Sequence, residues 1–140
     1  MLIKKIRKEN LEDVLSLALK TPELHTQQGE PDYYTTNQLM GFVKNPDAIF
    51  LGAFLESNFI GFVLSTYDRF AKETYIINLV VEKDLQHHGI GQMLINYTFN
   101  ELKNRDCEWV WVLVHEYNDR MQSFLSKQSF EKGPKFVYFR

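Results

Sequence analysis

The residues of this chain that could do chemistry are concentrated in one short segment, Gln86-His87-His88-Gly89-Ile90-Gly91. An apolar run with β-branched residues precedes it and ends at Val81, and apolar residues at helical spacing follow it. The first turn of a helix has backbone N–H groups without intrahelical partners, and glycines let an anion approach those groups closely. The segment therefore predicts a strand–loop–helix unit that binds a phosphate or pyrophosphate group.

Two familiar phosphate-binding loops do not fit this segment. A P-loop ends in Gly-Lys-Ser/Thr, whereas Gly91 is followed by Gln92 and Met93. A dinucleotide-binding fingerprint needs a third glycine or alanine where Leu94 stands, and it normally follows the first strand of its sheet. Both kinds of nucleotide loop are therefore excluded.

The spacing Gln86-x-x-Gly89-x-Gly91 resembles the Gln/Arg-x-x-Gly-x-Gly/Ala signature of the GNAT superfamily of acyl-CoA-dependent N-acetyltransferases. Residues 118–130 are similar to a second family pattern, Asn-x-x-Ala-x-x-Phe-Tyr-x-x-x-Gly-Phe. With both segments, the chain resembles this family over nearly its whole length. The resemblance implies acetyl-CoA as the acyl-donor substrate and transfer of the acetyl group to a primary amine of a small molecule or peptide by direct attack in a ternary complex. No metal is expected, because the adjacent His87 and His88 point apart and no third ligand lies at a zinc spacing.

The resemblance also implies which residues contact CoA. The loop amides would hold the pyrophosphate, and the preceding strand would pair with the pantetheine arm and direct an N–H at the thioester carbonyl. With contributions from the second segment, the implied contacts are Leu79, Val80, Val81, Gln86, His87, His88, Gly89, Ile90, Gly91, Asn118 and Phe124. The His88 side chain, and to a lesser degree that of His87, could add charge toward phosphate or be simply exposed, and Asn118 could serve only as a helix N-cap.

The catalytic groups are less well defined. Leu125 stands where many relatives have a tyrosine that protonates the departing thiolate, so the general acid is unassigned, and water, Tyr117 and Tyr97 are the alternatives. A thiol pKa of about 8.5 makes the thiolate a tolerable leaving group, so the substitution predicts a slower enzyme and not an inactive one. Glu73, near the start of the strand before the loop, is a candidate general base; the alternative is an exposed carboxylate at a strand end.

The loop between the first two predicted helices usually lines the acceptor site in this family. Its acidic and aromatic side chains would suit a cationic amine, although a solvated loop has the same composition: Glu30, Asp32, Tyr33 and Tyr34. Glu116 is a further candidate. Two other functions stay open, a degenerate domain that binds acyl-CoA as a sensor or interaction module, and an α/β domain whose glycine loop is only structural.

Composition sets the outer limits of these interpretations. The chain of 140 residues is 44% hydrophobic and 24% charged, which predicts one ordinary globular domain over residues 1–140. A net charge of −2 argues against tight nucleic-acid binding, which depends on basic patches. The single cysteine, Cys107, cannot form an internal disulfide, and no membrane span or signal-peptide core is found. A cytoplasmic monomer or homodimer without nucleic-acid or membrane partners is the expectation.

Hydrophobic periodicity predicts a mixed α/β, α+β-like chain with the order β-α-α-β-β-β-α-β-α-β. The predicted strands cover residues 2–7, 48–55, 59–67, 73–81, 109–114 and 136–139. The predicted helices cover 11–20, a segment capped by Thr35 or Thr36 that runs through Val43, 89–104, and 118–128. The resemblance implies a central mixed sheet of six or seven strands with about four helices, its C-terminal end abbreviated or completed by a partner chain. Residues 109–114 lack polar alternation, which predicts a strand covered on both faces.

Overall fold

The structure, a computed structural model, describes residues 1–24, 33–137 and 139. Its helices and strands are, in chain order, β1 (Leu2–Lys5), α1 (Leu11–Leu19), α2 (Thr36–Lys44), β2 (Ala48–Leu55), β3 (Asn58–Asp68), β4 (Glu73–Val81), α3 (Ile90–Leu102), β5 (Trp109–Val112) and α4 (Asp119–Lys127). Short 3₁₀ turns lie at Lys8–Asn10, Pro22–Leu24 and Lys83–Leu85. The predicted order of the first nine elements and the mixed α/β class are confirmed.

The five strands of the described chain form one sheet in the order β1-β2-β3-β4-β5. Adjacent strands from β1 to β4 are antiparallel to one another, and β4 and β5 are parallel. The predicted hairpin of β2 and β3 is confirmed, with Leu55 opposite Asn58. Its two turn residues, Glu56 and Ser57, have φ values of 51° and 70°, the backbone that suits a tight hairpin turn.

Each face of the sheet has its own apolar cluster. The α3 face packs sheet residues such as Leu51, Val63 and Ile76 against Leu94 and Ile95 of α3. The α1/α2 face packs another set of sheet residues against these two helices, and its buried members include Val14, Leu39, Phe62, Leu64 and Val80. The helices thus cover the sheet on both sides.

The last strand departs from prediction. The side chains of Trp109 and Trp111 are 60% and 46% exposed, and Leu113, which lies beyond the end of β5, is 81% exposed. Val110 and Val112 pack against the α3-face cluster, so β5 is covered on one face only. The prediction that both faces are covered is wrong, because an apolar run without polar alternation also arises when large aromatic side chains occupy an open face.

The sheet has five strands, and the implied count of six or seven is wrong for the described chain. Residues 136, 137 and 139 are not in a strand, and the side chains of Phe136, Val137 and Phe139 are 86%, 80% and 89% exposed. Tyr138 lies outside the described residues. The segment that precedes them is polar and includes Pro134, which has no N–H to donate to a strand ladder, so little favours pairing with β5.

Candidate functional site

The strands β4 and β5 pair over only part of the length of β4. Residues 73–76 pair in register with residues 109–112, from Glu73 opposite Trp109 to Ile76 opposite Val112. The register between β3 and β4 shifts at the next position, which leaves Ile77 as an extra residue in a β-bulge. Beyond that bulge, β5 does not pair with residues 77–81 of β4, and we call the space beside them the β4–β5 gap.

Main-chain groups of β4 face this gap. The N–H of Glu82 donates to the Ile60 carbonyl at 2.8 Å, on the β3 side. Since main-chain groups alternate in an antiparallel pair, Val80 also faces β3, and Leu79 and Val81 direct their N–H and C=O groups into the gap. The Val80 side chain is 4% exposed and belongs to the core of the α1/α2 face. The three strand residues implied by the sequence therefore divide into two that face the gap and one that faces β3.

The loop after β4 leads from the gap into α3. His87 and Gly89 have φ values of 68° and 80°, a backbone that glycine adopts without cost. The side chains of His87 and His88 are exposed, as is Gly89. Ile90, the first residue of α3, is buried in the core, so the helix is fixed while the loop before it faces solvent.

The N-terminus of α3 has no side-chain cap. The helices α2 and α4 differ in this respect: Thr35 Oγ1 accepts the N–H of Gln38, and Asn118 Oδ1 accepts the N–H of Met121 at 3.1 Å. Helix α1 also lacks a side-chain cap. The first N–H groups of α3 thus keep the capacity to bind an anion that α2 and α4 spend partly on their own side chains. The predicted N-cap role of Asn118 is confirmed, and its contact with a ligand stays a prediction.

Helix α4 holds the loop in place through two contacts. A Cβ atom added at Gly91 would lie 3.3 Å from the Phe124 ring, which shows how closely α4 approaches α3. One turn earlier in α4, Arg120 Nη1 donates to Gln86 Oε1 at 2.6 Å. Gln86 Nε2 donates in turn to the Val81 carbonyl at 3.1 Å. The Gln86 side chain therefore links α4 to the end of β4 across the loop.

Sequence reasoning missed Arg120. The signal available was its position four residues before Phe124, which places both side chains on the same face of a helix. That face was already implied to contact CoA through Phe124, so a cation on it is a candidate for contact with phosphate.

The catalytic candidates are dispersed. Leu125 is 7% exposed and lies in the core. Tyr97 and Tyr117, the alternatives for the general acid, are 45% and 78% exposed. Glu73 Oε2 accepts a hydrogen bond from Trp111 Nε1 at 2.8 Å, at the paired end of β4. Glu73 lies four residues before the bulge, about 13 Å along a strand, so the structure does not bring it to the gap.

The side chains of Tyr33 and Tyr34 pack against the α1/α2 face. Their rings meet edge to face at 5.4 Å, and the Tyr34 ring meets Phe42 in the same way at 5.1 Å. Burial, with a smaller contribution from Tyr34, raises the pKa of Tyr33 far above its usual range, so its hydroxyl stays protonated at neutral pH. Glu30 and Asp32, the acidic candidates of the same loop, lie outside the described residues. Glu116 is exposed.

Within residues 1–24, 33–137 and 139, no group of three or more His, Cys, Asp or Glu side chains is arranged to hold a metal ion. In the same part of the chain, none of the helices combines the length and apolar character needed to cross a membrane.

Comparison with known proteins identifies the family. The acetyltransferase (GNAT) family model matches residues 11–130. The PaiA N-acetyltransferase from Thermoplasma acidophilum, in complex with coenzyme A, is 24% identical with a TM-score of 0.81, covering 91% of this chain and 87% of that chain. An aminoglycoside acetyltransferase from an uncultured soil metagenomic sample, in complex with sisomicin, is 19% identical with a TM-score of 0.80, covering 99% and 95%. The ribosomal-protein-S18-alanine N-acetyltransferase from Escherichia coli is 14% identical with a TM-score of 0.76, covering 95% and 79%.

These structural likenesses show a shared fold. The family model spans most of the chain, and the gap, the uncapped helix and the glycine loop lie within the matched residues. The protein therefore belongs to the GNAT family of acetyltransferases.

Proposed function

We propose that the protein is an acetyl-CoA-dependent N-acetyltransferase that acts on a primary amine of a small molecule or peptide. The observation that carries this proposal is the continuity of two features. The β4–β5 gap, with main-chain groups of Leu79 and Val81 facing it, leads directly to the uncapped N-terminus of α3. An elongated donor that ends in a pyrophosphate fits such a path, and a compact ligand would use only part of it.

Different groups of the chain would bind different parts of CoA. The loop amides from Gln86 to Gly91 would hold the pyrophosphate, aided by the partial positive charge of the helix N-terminus. Leu79 and Val81 would pair with the pantetheine arm as a neighbouring strand does. Phe124 packs behind Gly91 and keeps the loop close to α4. Direct contact of His87, His88, Ile90 and Asn118 with CoA belongs to the same proposal, whereas Val80, which faces β3 and is 4% exposed, would serve only to hold β4 in the sheet.

The reaction itself needs little from side chains. Acetyl-CoA supplies an activated acetyl thioester. The acceptor nitrogen attacks the carbonyl carbon, a C–N bond replaces the C–S bond, and the sulfur leaves with the electron pair. The nitrogen loses a proton to a base. A main-chain N–H of β4 that faces the gap would stabilise the negative charge that develops on the carbonyl oxygen. With Leu125 in the core, the thiolate leaves without help from that position.

The acceptor class is kept broad because the similar structures differ in theirs. One is an aminoglycoside acetyltransferase in complex with sisomicin, and another is an N-acetyltransferase of ribosomal-protein-S18 alanine. Both small-molecule and protein amines are therefore included in the proposal.

The test uses the full chain with acetyl-CoA and a panel of amines: sisomicin, spermidine, phenethylamine and a peptide with an N-terminal alanine. We expect CoA binding in calorimetry, release of free thiol with at least one amine, and a product heavier by one acetyl group in mass spectrometry. Binding of CoA with no thiol release from any amine would contradict the enzymatic proposal. That outcome would favour the sensor module suggested by Leu125. No binding of CoA would reject both and leave the loop with a structural role only.

A further inference from the structure

The Asn78 side chain carries a polar atom that the fold leaves without a partner. Its Nδ2 donates to the Ile77 carbonyl at 2.9 Å. This bond fixes the orientation of the amide, because the reverse orientation would place two acceptor oxygens against each other. The remaining atom, Oδ1, is buried and has no hydrogen-bond partner in the described chain. Buried polar atoms in folded proteins are mostly paired, so this oxygen lacks the donor that a ligand or a water would supply.

The position of Asn78 connects this oxygen to the proposed reaction. Asn78 directly follows the bulge residue Ile77, and Ile76 is the last residue of β4 that pairs with β5. Leu79, whose main chain faces the gap, comes next. Asn78 therefore lies at the start of the β4–β5 gap, between the paired strands and the main chain proposed to hold the acyl donor.

The face of the sheet on which Asn78 lies is the one that carries Tyr33. Side chains alternate along a strand, so Asn78 shares a face with Val80, which belongs to the α1/α2 cluster. Tyr33 packs against the same cluster, and its hydroxyl is also buried without a hydrogen-bond partner in the described chain. The ring of Tyr34 lies against the rings of Tyr33 and Phe42, so this face carries aromatic side chains as well as the two unpaired polar atoms.

We propose that Asn78 Oδ1 binds the amino group of the acceptor, and that the acceptor is a primary amine attached to an apolar or aromatic body. This inference rests on the proposed N-acetyltransferase function. An amide oxygen can only accept a hydrogen bond, so its ligand must donate one, and an amine has several N–H groups. A carboxylate here would stabilise the ammonium form, whereas a neutral amide lets the bound amine lose its proton before it attacks. The Tyr33 hydroxyl supplies a second contact on the same face.

The test compares two probes with the same charge and ring: phenethylamine and its trimethylammonium analogue, which has no N–H and carries three additional methyl groups. Each is titrated into ¹⁵N-labelled protein, with and without CoA, and the side-chain amide signal of Asn78 is followed by NMR. We expect a saturable shift of that signal with phenethylamine and weaker or absent binding of the analogue. The variant Asn78→Ala should raise the Kd of phenethylamine about tenfold, the loss of one hydrogen bond from a charged donor.

The matched control is Asn104→Ala, a change at an exposed residue after α3, which should leave both probes unaffected. The affinity for CoA should stay within about twofold in both variants, which separates a role in amine binding from general damage to the fold. If turnover is found, Asn78→Asp should move the pH profile of kcat for the amine upward, because a carboxylate raises the pKa of the bound amine and kcat reports groups in the complex. Equal binding of the two probes, no binding of phenethylamine, or an unchanged Kd in Asn78→Ala would overturn the proposal. If the protein did not bind CoA, only the proposed function would be overturned. The binding of the amine to Asn78 would still be tested by the titration without CoA.

Discussion

The two ends of the β4–β5 pair are built from different kinds of groups. At the paired end, side chains make the contacts: Trp111 Nε1 donates to Glu73 at 2.8 Å, and Lys72 Nζ lies 3.1 Å from Asp106 Oδ2. At the open end, beside residues 77–81, the available groups are main-chain N–H and C=O groups and the uncapped start of α3. Within β4 and β5 themselves, the ionisable side chains of Glu73 and Tyr75 both lie in the paired part. The comparison indicates that the groups available to bind a ligand in this fold are the main-chain groups that the sheet leaves unpaired.

The largest effect is expected at the open end, from Gly89→Val. The φ of 80° at Gly89 disfavours a β-branched residue by about 1–3 kcal/mol. A Cβ atom there would meet no described atom within 4 Å, so the change does not disturb packing. The added side chain would take space proposed for the pyrophosphate, and the Kd for CoA in calorimetry should rise by about a hundredfold or more.

The control for this change is Gly41→Ala in α2, where a Cβ atom also meets nothing within 4 Å. Alanine in place of a helical glycine should stabilise the protein by about 0.5–1 kcal/mol in thermal denaturation and leave CoA affinity unchanged. If Gly89→Val bound CoA with wild-type affinity, the proposal that CoA binds at the open end of the strand pair would be contradicted.

A smaller effect is expected from Arg120→Ala. The variant loses the hydrogen bond to Gln86 that links α4 to the end of β4, and the Kd for CoA should rise about fivefold to tenfold. Since the two side chains act as one unit, the double variant Arg120→Ala/Gln86→Ala should bind CoA no more weakly than Gln86→Ala alone. Additive losses would show instead that Arg120 contacts CoA independently of Gln86. Lys127→Ala, at the far end of α4, is the control for a lost positive charge.

The smallest effect is expected at the paired end, from Glu73→Gln. The glutamine oxygen can still accept the hydrogen bond from Trp111, so stability should change by less than about 0.5 kcal/mol. Because Glu73 lies four residues before the bulge, kcat should fall by less than about threefold. A fall of about 10² to 10⁴ in kcat would establish Glu73 as the general base and would show that the paired end takes part in the chemistry.

The features that could be predicted from sequence are those set by local chemistry. The glycines at 89 and 91 and the N-cap at Asn118 depend on a few neighbouring residues, and the structure places the loop and the helix start where they indicate. The bounds of β2 and β4 follow from apolar runs between clear turns. In each case one short stretch of chain contains all the information needed.

The features that could not be predicted depend on distant residues. The apolar character of Trp109 and Trp111 is the same whether or not a further strand or helix covers them, so sequence alone could not reveal their exposure. The unpaired oxygen belongs to Asn78, which directly follows the bulge, and the bulge is set by the register of β3 against β4. Arg120 meets Gln86 only because Phe124 brings α4 against Gly91.

The stacked indole rings of β5 have a practical consequence. Trp109 and Trp111 are the two tryptophans of the chain, and their ring centroids lie 6.1 Å apart at the paired end of the strands. The tryptophan emission of the protein therefore originates from that end and not from the glycine loop. A change in its intensity or wavelength on adding CoA would register a movement of β5 relative to β4, which makes the native protein its own optical sensor of how far this strand pair opens.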